Sequence, residues 1–172
     1  MTENEAREYI GTMLETFYKK DQFLLNHDVA ERSITHRMGM YLQQILEESF
    51  DVDCEYNRMG KKEDDDLYLT EGDYFAKTVC LSEGMVSDES DVGSRVYPDI
   101  IVHKRGTAEN VLIIEVKVAG KVGNREHDYK KLKAYKEDLQ YEHAFFIELY
   151  KNKERVVLEK IDEMTKFDNF FP

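Results

Sequence analysis

Two apolar runs with charged residues at their ends constrain this chain more than any other feature. From Tyr97 to Val118 it reads YPDIIVHKRGTAENVLIIEVKV in one-letter code. An acidic residue, Asp99, opens the first run. Glu115 and Lys117 close the second, two positions apart. Both runs are short and rich in Ile and Val, and Lys104-Arg105-Gly106-Thr107 between them has turn composition, so the pattern predicts a hairpin. Residues i and i+2 of a strand share a face. Glu115 and Lys117 should therefore project together, and the hairpin could bring Asp99 beside them. Val111 to Val118 is almost continuously apolar, which predicts a strand covered on both faces at the centre of a sheet.

Around this hairpin the periodicity alternates between helix and strand. Ile10, Met13, Leu14, Phe17 and Tyr18 recur at helical spacing, predicting a first helix over about Thr2 to Lys20, with Thr2 and Glu5 at capping-box positions. A second helix is expected from about Val29 to Ser49, with a stripe of Ile34, Met38, Leu42, Ile45 and Leu46 and with Asp28 as N-cap. Asp51 to Tyr56 alternates as a strand does. Glu63 to Asp91 then carries ten acidic residues against Lys77 alone, and reads as an insertion containing a short strand within Tyr74 to Leu81. After the hairpin, Asn124 to Gln140 predicts a helix with Tyr129, Leu132, Tyr135 and Leu139 inward and its lysines outward. Ala144 to Tyr150 and Arg155 to Ile161 predict two last strands. The expected class is therefore α/β, one domain spanning 1–172, with an N-terminal helical extension (1–27) and an acidic insertion (58–94).

A length of 172 residues suffices for one domain with a real core. No apolar run approaches the ~20 residues of a membrane span. The acidic N-terminus lacks the pattern of a signal peptide. Cys54 and Cys80, the only cysteines, have neither metal-ligand spacing nor a disulfide framework, so a reduced, cytoplasmic setting is expected. The net charge of −12 is unfavourable for an approach to phosphates. The charge is uneven, however. Arg95 to Lys136 sums to +5, leaving −17 for the rest, as expected for an electrostatic footprint around the hairpin. A solvated lysine face on one amphipathic helix is the plainer explanation for the helix lysines.

Two carboxylates and an ammonium on one sheet face suit a divalent cation and an activated water. The Pro98-Asp99…Glu115-Val116-Lys117 arrangement, with a Lys-rich helix after it, resembles the PD-(D/E)XK nuclease superfamily over about Asp28 to Ile161. The resemblance implies a restriction-endonuclease-like mixed sheet flanked by helices, and Mg²⁺- or Mn²⁺-dependent hydrolysis of nucleic-acid phosphodiesters, DNA being favoured over RNA. It implies Asp99 and Glu115 as principal metal ligands, the Val116 carbonyl as another, and Lys117 as the group acting on the attacking water or the transition state. It further implies that a glutamate of the first core helix, here Glu31, joins the metal site, although Asp28 and Glu31 also have the spacing of a capping pair. It places a basic residue of the following helix, Lys131 or its neighbour Lys130, near the phosphate. Lys121 and Arg105 belong to the same basic cluster and are further candidates for contact with nucleic acid. His36 is expected to be a surface residue, and Glu55 to face solvent. Homodimers are common among such nucleases, and the apolar first helix offers a candidate interface. Two alternatives stand beside this reading: a non-catalytic binding or assembly module of the same fold, and an acidic interaction protein.

Overall fold

The computed structural model describes residues 1–56, 97–121 and 125–162, together with the backbone of four two-residue strands between the first two stretches. Helix α1 (Glu3–Asn26) is followed by α2 (Glu31–Leu46), β1 (Asp51–Asp53), and the short strands β2 (Arg58–Met59), β3 (Phe75–Ala76), β4 (Thr78–Val79) and β5 (Ser94–Arg95). The chain then forms β6 (Ile100–His103), β7 (Asn110–Val118), α3 (Arg125–Leu139), β8 (His143–Leu149), a single 3₁₀ turn and β9 (Val157–Ile161). The expected acidic insertion lies almost wholly outside the described residues. Its predicted strand falls at β3 and β4.

One five-stranded mixed sheet, in the order β1-β6-β7-β8-β9, organises the molecule. Only β7 and β8 run parallel, and α3 makes the crossover between them. The other three pairings are antiparallel. Strand β7 is third of five and covered on both faces, which is why its sequence is apolar nearly throughout. On one face α1 and α2 bury Ile10, Met13, Phe17, Ile34, Met38 and Leu42 against Ile100, Val102, Ile114, Val116, Phe145 and Ile147. On the other face α3 buries Tyr129, Leu132 and Tyr135 against Ile101, Ile113 and Phe146. The result is a three-layer α/β/α arrangement, the first helix included. The stripe of α1 that offered itself as a dimer face is occupied by the chain's own core.

The Thr2–Glu5 capping box forms, each side chain bonding the other residue's backbone. The expected cap of α2 does not. Its N-cap is Ala30 without a side-chain bond, while Asp28 sits in the connection at a φ of 51°. Helix α1 also runs six residues beyond its expected end, through a kink at Asp21 that the Asp21–Arg37 ion pair (2.7 Å) and a Tyr41 hydroxyl bond (2.5 Å) tie to α2. No described helix is long and apolar enough to cross a membrane.

Candidate functional site

The hairpin register brings the motif together. Ile100 pairs with Ile114, so one step further sets Asp99 across from Glu115. Directly opposed residues of an antiparallel pair share a face, with Cβ atoms ~5 Å apart. Ile101 and Ile113 face α3, and parity puts Asp99, Glu115 and Lys117 on that same face. All three thus meet where β6 begins and β7 ends.

Each side chain is held by a specific partner. Asp99 Oδ2 accepts a 2.8 Å hydrogen bond from the Val116 amide. Glu31, in the first turn of α2, reaches over the sheet end and accepts a 2.8 Å bond from the Val118 amide. Its carboxylate therefore serves the end of β7 rather than its own helix, which excludes the capping-pair alternative. Lys131 Nζ lies 2.9 Å from Glu115 Oε1, and Lys117 Nζ lies 3.4 Å from Asp128 Oδ2. Despite these ammonium neighbours, Glu115 Oε1 and Asp128 Oδ2 are buried without a hydrogen bond of ordinary geometry, as is the Tyr135 hydroxyl.

The electrostatics follow from this crowding. Burial, and then the nearby Asp99, push the Glu115 carboxyl up to about 8. Burial raises Asp99 as well, against the opposing pull of the Val116 amide and the two lysines. For Lys117 burial disfavours the charge, but Asp128 and Glu31 outweigh it and the ammonium is held above its ordinary value. Carboxylates whose ionisation is this costly gain from a cation.

Other candidates stand differently. Lys131 turns inward to Glu115, only 17% exposed, contrary to the expectation that the helix lysines face out. Lys130 does face out and pairs with Glu126 one turn away. Lys121 donates a 2.6 Å bond to the Val29 carbonyl and ties the turn after β7 to the α1–α2 connection. Arg105 lies at the opposite end of β6 from Asp99. There it grips both oxygens of Asp53, which His103 also contacts at 2.9 Å. These members of the basic cluster are therefore held by separate partners, Arg105 at the far end of β6 and Lys121 at the α1–α2 connection. Lys104 and Arg125 also pair with carboxylates, Glu109 and Glu148. His36 is exposed, as expected; it lines an open cavity of about 560 Å³ with Arg32, Arg37, Cys54 and others. Glu55 is exposed and pairs with Arg32 at 2.6 Å.

No family model matches this chain, and neither the curated proteins nor the solved structures provide a match.

Two groups at the site escaped the sequence reading: Asp128 and Tyr135 as a site neighbour rather than core alone. A signal for Asp128 existed. It stands four residues before Leu132 and seven before Tyr135, on the inward stripe of α3. An acidic residue on a buried stripe calls for a partner.

Among the described residues no three His, Cys, Asp or Glu side chains form a ready cation cluster. A Mg²⁺ or Mn²⁺ ion needs only one or two carboxylates, since it retains several waters. The hard oxygen donors of Asp99 and Glu115, with the buried Glu115 Oε1 lacking a good hydrogen bond, fit such an ion.

Proposed function

We propose that this chain is a metal-dependent nuclease of PD-(D/E)XK type with a restriction-endonuclease-like fold, hydrolysing nucleic-acid phosphodiesters, DNA in preference to RNA. The observation that carries this reading is the convergence of Asp99, Glu115 and Lys117 on one face at one end of the sheet, with Glu31, Asp128 and Lys131 around them.

Asp99, Glu115 and the Val116 carbonyl would hold Mg²⁺ or Mn²⁺. Glu31 stands beside them at the Val118 amide and would add a further carboxylate to the site. When bound, the ion would neutralise charge on the phosphate and make water a better nucleophile. The Val116 amide fixes the direction of the Asp99 carboxylate before any ligand arrives. Lys117 supplies a fixed positive charge beside the carboxylates, where it can orient water or balance charge gained in the transition state. Lys131, paired with Glu115, supplies an ammonium at the site that would contact a phosphate oxygen.

The test is incubation with single- and double-stranded DNA and RNA, with and without Mg²⁺ or Mn²⁺, alongside Lys117→Ala. Cleavage that requires the ion and falls by about two to three orders of magnitude in the variant is expected for the loss of one preorganised charge. Failure of the wild type to cleave any of the four substrates overturns the nuclease reading in favour of a binding module.

A further inference from the structure

The buried carboxylate of Asp128 is unexplained by the fold and unused by the mechanism above. It sits in the first turn of α3 with 4% of its surface exposed. An acidic residue there suits the helix dipole, but Glu126 occupies the same turn from the exposed side at no desolvation cost. Burying a carboxylate is expensive unless it is paired and hydrogen-bonded. Asp128 Oδ2 has no hydrogen bond of ordinary geometry. It also adds negative charge next to Asp99 and Glu115, making both harder to ionise. The group it faces is Lys117 Nζ, 3.4 Å away.

That geometry assigns a consequence to its removal. Lys117 shares a face with Glu115 and lies within the field of Asp99 and Glu31. A lysine stem is flexible and carries a compact point charge, so its ammonium can turn from one neighbouring carboxylate to another. Without a partner on α3, Lys117 would fold back onto Asp99 or Glu115 and occupy the oxygens a cation needs. We propose that Asp128 is a positioning residue that draws Lys117 toward α3, keeping its ammonium beside the Asp99–Glu115 pair rather than on it. This role rests on the metal-dependent reading of that pair.

The experiment is a double-mutant cycle on Mn²⁺ affinity, read by electron paramagnetic resonance of free Mn²⁺ on the full chain. The four proteins are wild type, Asp128→Asn, Lys117→Ala and the double variant. Asp128→Asn should weaken Mn²⁺ binding about tenfold, within the coupling expected of residues in contact. It should have no effect in the Lys117→Ala background, where there is no ammonium to collapse. Asp128→Glu should keep affinity within about twofold of wild type, because it retains the anionic partner, and it serves as the check if the asparagine variant folds poorly. Equal weakening in both backgrounds would make Asp128 a ligand or a purely structural residue and overturn the proposal. No Mn²⁺ binding by the wild type would overturn the cation site and this role with it. Mn²⁺ binding with the expected cycle, but no cleavage of any nucleic acid, would leave the positioning role standing and remove the nuclease reading.

Discussion

Glu115 concentrates the chemistry of this molecule at the scale of one residue. Its carboxyl is raised to about 8 from an ordinary 4.5 by burial and by Asp99. The folded state therefore holds a proton that the unfolded state releases across that window. The associated stability is fully present below about 4.5 and is lost as pH rises through about 8. Glu115→Gln removes this contribution. In urea unfolding at pH 5 to 8 without metal, wild type should lose stability relative to the variant by up to about 1.4 kcal/mol per pH unit, the slope of one proton. Parallel pH profiles would show that Glu115 titrates in the folded protein as it does in the open chain. Glu31 illustrates a different residue-level result. Its spacing from Asp28 suggested a cap, yet its partner is the Val118 amide, 87 positions away.

Elements in this fold are fastened by contacts that substitutions can address one at a time. Helix α2 approaches β1 at Gly39, where an added Cβ would meet Cys54 Sγ at 2.7 Å. Gly39→Ala should gain about 1 kcal/mol of helix propensity and still be net destabilising, because overpacking costs about 1–3 kcal/mol. Adding Cys54→Ala should restore stability toward wild type, and chemical denaturation of the single and double variants checks this. At the far end of β6, Arg105 clamps Asp53 with two hydrogen bonds and contacts Asp51. The pair is half exposed on the arginine side, so Arg105→Ala should cost about 1 kcal/mol. On the proposed nuclease reading, the nucleic-acid affinity of this variant and its salt dependence should match wild type, because that guanidinium is committed to β1. A lower salt slope in binding assays would return Arg105 to the interface.

For the molecule as a whole, a cation bound at the proposed Asp99–Glu115 site would be linked to the fold by mass action. Mn²⁺ at a hundred times its dissociation constant should stabilise the native state by about 2.7 kcal/mol, raising the melting temperature by several degrees in a chain of this size. Asp99→Asn should abolish that rise. Because it also relieves repulsion with Glu115, the variant without metal should melt at or above the wild-type temperature. Equal Mn²⁺-induced shifts in wild type and variant, measured by calorimetry, would place the ion elsewhere.

The order of helices and strands was legible in the sequence because apolar spacing reports burial directly. The stripe of α1, the nearly continuous apolar run of β7 and the inward face of α3 all reappear in the core. So was the meeting of Asp99, Glu115 and Lys117, since strand parity and a short turn leave little freedom. What each charge pairs with was not legible. Lys131 turns inward, Lys121 binds a loop carbonyl, Arg105 is taken by Asp53, and Asp128 faces Lys117. Charged side chains are long and choose partners by proximity in space. That proximity was decided by the parallel crossover laying α3 over β7, and by α2 starting at the rim of the sheet.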